Sequence, residues 1–332
     1  MAFLGVECPP GASRRERVQV GEYADGSPVS LPVHIVRGRK DGPTLYVQGA
    51  VDGEEVTGVE IARRVIASVK PAELIGTLVV VPASNLPAYL TRSRAWLDEE
   101  RYVGELTALL PGWAGGLMSE RIAAILLTEF MQPADVTIDL HSAIDGAVIA
   151  PFTYVFPDQN DGTYRTCLRI ALAFGAPYVY RVDQIPEADK PKLPLSIRPI
   201  LKGYGAGTEG NAITIAEMGE SQRISTEYVD IGLGGIFRVL KAMGMIDDHG
   251  YGEGPEPRPF TQVAPVHVNR GGGLRSYVSL GDEVQPGDLL AEIVDVFGDP
   301  VERVVAPMRG FVLRKMVLAN VATGAEAAWI AA

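Results

Sequence analysis

The run Thr44-Leu45-Tyr46-Val47-Gln48-Gly49-Ala50-Val51-Asp52-Gly53-Glu54-Glu55 decides how this chain is read. Gly42-Pro43 punctuates the chain just before it. The near-continuous apolar stretch that follows suits a central strand buried on both faces. The period then changes: Val59, Ile61, Ala62, Val65 and Ile66 recur at helical spacing within 55–69. Strand and helix therefore meet at Asp52-Gly53-Glu54-Glu55. The same alternation predicts a strand at Leu78–Pro82, a helix at Ser119–Phe130 and a strand at Asp135–Leu140. It continues with a helix near 165–174, a strand at Ala212–Ala216 and a helix at Tyr228–Met243. Such alternation predicts an α/β fold, a mixed and mostly parallel sheet with helices on both faces. Upstream, residues 17–37 alternate apolar and polar side chains, as antiparallel strands at a sheet edge do.

The segment Asp247–Pro259 reads DDHGYGEGPEPRP, a linker or long turn by its glycines and prolines. Residues 260–332 then hold short β-rich runs broken by Gly271-Gly272-Gly273, Gly281-Asp282, Pro286-Gly287 and Gly298-Asp299-Pro300. This spacing of turns predicts a small all-β unit. The expected division is 1–250 and 251–332.

Across 332 residues the formal net charge is −11, which argues against nucleic acid or an anionic membrane as partner. A small-molecule substrate is expected instead. No run of 18 apolar residues offers a bilayer span. The start, Met1-Ala2-Phe3-Leu4-Gly5-Val6-Glu7, has neither the basic nor the long apolar region of a secretory signal. Cys8 and Cys167 read as free thiols, and a cytoplasmic location and a homo-oligomer are expected.

In α/β sheets, ligands and metals gather where strands end. Asp52 and Glu55 follow one apolar strand and Asp139-Leu140-His141 closes another. Asp52, Glu55 and His141 would make a three-ligand metal site with an open position, the arrangement of a catalytic metal. Asp139 sits two residues before His141, where a strand sends both side chains the same way and a carboxylate can orient the imidazole. Two plainer readings stand beside this. An Asp-x-x-Glu at a helix start is also a capping pattern, and a histidine after a strand is also an ordinary packed residue.

Several segments, in order, carry a resemblance to a known family. They are Gly42-Pro43-Thr44-Leu45, Gly49 through Gly58, and Val81-Pro82 with Asn85, Ala88 and Arg94. Leu110-Pro111-Gly112, Ser119-Glu120-Arg121, Asp139-Leu140-His141 and Ala212 through Gly219 follow. The chain resembles the succinylglutamate desuccinylase/aspartoacylase family, zinc hydrolases related to the zinc carboxypeptidases. Val263-Ala264-Pro265 through Ala306-Pro307-Met308-Arg309-Gly310 resembles the C-terminal barrel-sandwich module of its longer bacterial members. No lysine occupies the hairpin near Gly298–Val301, so that module is expected to be structural or oligomeric rather than a carrier.

Two departures stand out. Asp52 replaces the family's first zinc-binding histidine. Glu105-Leu106-Thr107-Ala108 replaces its D-L-N-R, whose asparagine and arginine the resemblance implies in binding the substrate's carboxylate. The resemblance implies one metal per chain, Zn²⁺, with Mn²⁺ or another divalent ion as the alternative for an oxygen-rich ligand set. Two carboxylates and one imidazole would cancel the ion's charge and activate water less. Glu217, closing its strand, is the expected general base, a salt-bridge partner being the plainer reading. Arg94 is the expected group to hold a substrate carboxylate or polarise the scissile carbonyl, with Arg92 and Arg101 nearby. Gly203-Tyr204-Gly205-Ala206-Gly207 lacks the context of a phosphate loop and is read as a flexible active-site loop. His34, His249 and His267 fall in a strand, the linker and the C-terminal module. The expected function is a metal-dependent amidohydrolase cleaving the amide of a small N-acyl amino acid. The alternatives are a member that has lost hydrolysis and binds a metabolite or acts as a scaffold, and a metallocarboxypeptidase.

Overall fold

The computed structural model describes residues 2–99, 105–144, 146–157, 160–190, 193–194, 197–206, 211–247 and 250–332. The chain opens with β1 (Ala2–Phe3), β2 (Val6–Glu7), β3 (Ala12–Glu22), β4 (Pro28–Arg37) and β5 (Lys40–Gly49), followed by α1 (Val56–Ser68). Next come β6 (Ile75–Val81), α2 (Leu86–Thr91), a 3₁₀ turn Leu106–Leu109 and α3 (Met118–Ile125), which continues as a π-helix over Leu126–Met131. The middle holds β7 (Val136–His141), β8 (Ala147–Val155), α4 (Asp161–Phe174), β9 (Tyr178–Arg181), α5 (Ile197–Ala206), β10 (Ala212–Glu220) and α6 (Thr226–Ala242). The chain closes with β11 (Arg258–Phe260), β12 (Val263–His267), β13 (Gly272–Ser276), β14 (Glu283–Val284), β15 (Leu289–Val294), β16 (Pro300–Val305), β17 (Gly310–Met316), β18 (Asn320–Val321) and β19 (Glu326–Ala331).

The main sheet runs β12-β19-β17-β8-β10-β7-β5-β6-β4-β3, with β9, β11 and β14 off that path. Its centre, β10-β7-β5-β6, is parallel, and antiparallel strands flank it on both sides. The period-2 alternation of the strands divides two cores. Leu45 and Val47 of β5 and Val136, Ile138 and Leu140 of β7 pack with Ile61, Val65, Ile170, Phe174 and Ile236 of α1, α4 and α6. Tyr46, Ile213 and Ile215 face the other way, toward Ile122, Leu126 and Phe130 of α3 and its π-helical extension and Ile197 and Ile200 of α5. By the same alternation Asp139, His141 and Glu217 lie on this second face. The site is therefore polar residues set into the end of an apolar layer.

Beyond Val263 the chain carries a core of its own, including Val266, Ile293, Val312 and Ile330. A four-stranded sheet β16-β15-β13-β18 covers it. β17 nevertheless adds to the main sheet, with Arg314 opposite Ile149 of β8.

Three details differ from the sequence reading. The helix expected over 119–130 changes hydrogen-bond pattern at Leu126 and becomes a π-helix. β8 and β9 extend the sheet where no strand is predicted. Residues 203–206 are the end of helix α5, not a flexible loop, while Gly207 lies outside the described residues. Gly203 serves close packing rather than mobility: a Cβ there would sit 1.9 Å from the carbonyl oxygen of Thr107.

Candidate metal centre

The turn after β5 is held by backbone at unusual angles. Ala50 has φ 46°, a left-handed conformation uncommon for a side chain larger than hydrogen. Ser84 and Asn85 fix it: their amides donate to the Gly49 and Ala50 carbonyls at 2.9 Å, and Asn85 Nδ2 donates to the Val51 carbonyl at 3.2 Å. Gly53 lets α2 approach, since a Cβ there would lie 2.2 Å from the backbone of Ala88. Its amide donates to the Arg94 carbonyl, which brings the segment after α2 beside Asp52. Asp52, Glu55 and His141 are all buried, and one donor atom from each lies within 4.8 Å of the others.

Glu55 occupies the N-cap position of α1, yet its side chain caps nothing. Its Oε2 accepts from the Ser142 amide at 2.8 Å and stands 3.0 Å from His141 Nδ1. Asp52 Oδ2 is 3.5 Å from the same nitrogen. His141 Nε2 is 2.8 Å from Asp139 Oδ2, which also accepts from the Tyr204 hydroxyl. Gln48 Nε2 donates to that hydroxyl at 3.3 Å, and Tyr46 donates to Gln48 Oε1 at 2.9 Å. The far side of the imidazole is thus locked by a buried chain, and Nδ1 is turned toward the two carboxylates. That is how a ligating histidine is oriented.

Arg94 does not stand apart to receive a ligand, as the sequence reading expects. Its guanidinium lies against the same carboxylates: Nη2 is 2.8 Å from Asp52 Oδ2, Nη1 is 2.9 Å from Glu55 Oε1, and Nε donates to Glu105 Oε1 at 2.7 Å. Glu105, at the start of the departed D-L-N-R segment, is therefore a partner of Arg94. The approach to Asp52 is electrostatic only, because neither Asp52 oxygen has a hydrogen bond of good geometry. Burial raises the proton affinity of Asp52, but Arg94 and His141 outweigh it and hold the carboxyl below the usual range. Burial disfavours charge on His141, yet Asp139 and Glu55 push its pKa well above that of a free imidazole.

Glu217 lies directly opposite His141 in the β10–β7 register. Burial, then the charge of Glu55, pushes its pKa up to about 8. It lines a cavity of about 20 Å³ together with Glu55, Arg94, Ile200, Arg314 and Trp329.

All five residues expected at the site, Asp52, Glu55, Arg94, His141 and Glu217, come together. Arg92 is exposed and ends α2 in a left-handed conformation, and Arg101 lies outside the described residues. His34 is buried in β4 and accepts from Arg15 Nε, His267 stands 3.7 Å from Glu326, and His249 is outside the described residues. Sequence reasoning misses Ser142, Tyr204, Glu105 and Arg314. An arginine inside the apolar run Phe311-Val312-Leu313 is a signal that could have found the last.

The donor set fits a divalent cation: two carboxylates, one imidazole nitrogen, an oriented histidine, and two buried Asp52 oxygens without hydrogen bonds. Residues 41–243 match the succinylglutamate desuccinylase/aspartoacylase catalytic domain. The N-alpha-acetyl-L-2,4-diaminobutyric acid deacetylase of Halomonas elongata is 27% identical over 275 residues, 81% of this chain and 75% of that protein. Among solved structures, the product-bound ectoine utilization protein EutE of Ruegeria pomeroyi superposes with TM-score 0.82 at 22% identity, covering 98% of this chain and 97% of the other. A succinylglutamate desuccinylase/aspartoacylase from Rhodobacter sphaeroides gives 0.79 at 22% identity, covering 98% and 96%. With the family's catalytic domain matched over most of the chain, this protein belongs to the succinylglutamate desuccinylase/aspartoacylase family.

Proposed function

We propose that the chain is a metal-dependent deacylase that hydrolyses the amide bond of a small N-acylated amino acid. One observation carries the reading: His141 Nδ1, Asp52 and Glu55 converge while Asp139 fixes the other side of the imidazole and Glu217 faces it across β10. The Halomonas deacetylase supports an acetylated amino acid as the first substrate to try. A divalent ion held by Asp52, Glu55 and His141, Zn²⁺ or Mn²⁺, supplies Lewis acidity toward the amide carbonyl and toward water.

The protein's own groups do the rest. Glu217 takes a proton from the attacking water at its carboxylate and returns it to the leaving nitrogen as the C–N bond breaks. The products are a carboxylate and an amine. A carboxyl whose pKa is raised toward neutrality suits both transfers. Arg94 lines the cavity, and its charge favours the negative oxygen that develops on the carbonyl. Asp139 and Tyr204 hold His141 in one orientation throughout.

A specific observation favours a second reading. Arg94 already neutralises Asp52 and Glu55, as a family member that dispenses with metal and hydrolysis would require. The two readings separate on protein purified without chelator. The deacylase reading expects about one transition-metal ion per chain, lost in Glu55→Ala and His141→Ala. It also expects hydrolysis of N-acetyl-L-2,4-diaminobutyrate or a related N-acetyl amino acid, lowered on the order of 10²–10⁴-fold in Glu217→Gln, the usual contribution of a general base. No metal after incubation with Zn²⁺, Mn²⁺ and Co²⁺ would sink it.

A further inference from the structure

We propose that Arg314, brought into the cavity by β17 of the C-terminal part of the chain, is the anion anchor of the site and binds the carboxylate of the acylated amino acid. The assignment rests on the deacylase reading and adds the group that would recognise the substrate's acid.

Arg314 is 1% exposed, among the largest fully buried side chains of the protein. Its Nη1 donates to Glu326 Oε2 at 2.6 Å, and its guanidinium carbon lies 4.9 Å from the centre of the Trp329 ring. Trp329 Nε1 donates to the same Glu326 oxygen at 2.8 Å. One carboxylate and one ring thus fix the guanidinium on its far side. Nη2 is left buried with no hydrogen-bond partner among the described residues. Arg314 lines the cavity shared with Glu217, Glu55 and Arg94.

A buried cationic donor left unpaired costs free energy, so fixed donors of this kind are kept where a ligand completes them. A guanidinium is the side chain best shaped to take a carboxylate. Arg94 cannot serve as well, since three carboxylates already offset its charge, Glu55 and Glu105 by hydrogen bonds and Asp52 at 2.8 Å. Nor can the segment that replaces D-L-N-R, where Thr107 and Ala108 carry no charge. Arg314 therefore supplies from the C-terminal strands the cation missing there. The cavity of about 20 Å³ admits little more than one water, so its lining must part as the substrate enters.

The test uses Glu217→Gln protein, to block turnover, and calorimetry with N-acetyl-L-2,4-diaminobutyrate and its carboxamide. With Arg314 present the acid should bind at least about tenfold tighter than the amide, the effect of one charged hydrogen bond. Adding Arg314→Gln should erase that preference by weakening the acid alone. Adding Arg314→Lys should restore part of it, and this variant carries the test if the glutamine variant does not fold. A preference that survives Arg314→Gln overturns the anchor, as does an equal loss for acid and amide. A parallel assay for acetate release by the unmodified protein separates the two claims. Hydrolysis with a preference indifferent to Arg314 sinks only the anchor; an Arg314-dependent preference without hydrolysis sinks only the deacylase. Failure of the folded protein to bind either compound overturns the substrate class and the anchor with it.

Discussion

Two guanidiniums line one small cavity, Arg94 half-buried and Arg314 buried, and they are bonded in opposite ways. Arg94, on the wall built by the strands and loops before residue 110, is gripped by three carboxylates at 2.7–2.9 Å. Arg314, on the wall built by β17, has one carboxylate, one aromatic ring and a bare nitrogen. Charge and residue type are the same; what differs is how much of the charge is already offset by carboxylates. A saturated cation offsets neighbouring negative charge and holds a site together. An unsaturated one is available to a ligand. The departure at Asp52 thus adds a carboxylate to the cage around Arg94, while Glu105 keeps an acid where D-L-N-R begins with one.

The largest effect is expected from breaking that cage. Arg94→Met would leave Asp52, Glu55 and Glu105 facing one another without their shared cation. Removing one partner of a buried ion pair costs roughly 3–5 kcal/mol. Urea unfolding of metal-stripped protein should show a loss of that size. The same variant should bind Zn²⁺ more tightly, because the competing cation is gone, and Zn²⁺ should return much of the lost stability. If the metal-free variant matches its parent within about 1 kcal/mol, Arg94 is not the counter-charge of the site, and the contrast with Arg314 fails.

Glu217 gives a somewhat smaller effect, read as a pH dependence. Its folded pKa of about 8 lies above the ordinary value of 4.5, so between those limits the folded protein holds a proton that the unfolded chain releases. The stability it contributes is fully present below pH 4.5 and is lost as pH rises through 8. In metal-stripped protein the difference between pH 5 and pH 8.5 should include roughly 3–4 kcal/mol from this group. Glu217→Gln, which keeps the neutral shape, should flatten that slope. An unchanged slope would mean that Glu217 is solvated and ionised, and the cavity is not the dry site that its lining suggests.

The half of the site facing β5 and β7 was legible in the sequence because it is local. Asp52 and Glu55 sit where an apolar strand gives way to a helical repeat, and Asp139 and His141 share a face by the period of a strand. The opposite half was not, because it rests on pairings between distant segments. β17 meets β8 through Arg314 and Ile149, and nothing in either segment names the other. The glycines of 203–207 suggested a loop, since glycine permits both mobility and close approach and sequence does not say which is used. In the protein Gly203 lies on Thr107, and Tyr204 turns inward to the Asp139 carboxylate. Arg94 was expected at the site but with the wrong partners. Its position depends on the chain between α2 and Glu105, where no repeat constrains the path.

The smallest test moves to a guanidinium outside the cavity, where the partner is a neutral base instead of a carboxylate. Arg15 Nε donates to His34 Nδ1 at 3.3 Å, and His34 is 4% exposed in β4. Burial, then the charge of Arg15, pushes its pKa down to about 4. The unfolded chain takes up a proton near pH 6.5, while the folded protein resists until about 4. Stability that is fully present above pH 6.5 is therefore lost as pH falls through 4, by about 3 kcal/mol in all. His34→Gln can still accept from Arg15 through its amide oxygen but cannot titrate. Denaturation midpoints at pH 7 and pH 4.5 should lie closer together in the variant than in its parent. If they do not, a cation beside a neutral acceptor leaves no pH signature in this fold. The bonding of Arg94 and Arg314 would then have to be argued from their carboxylate partners alone.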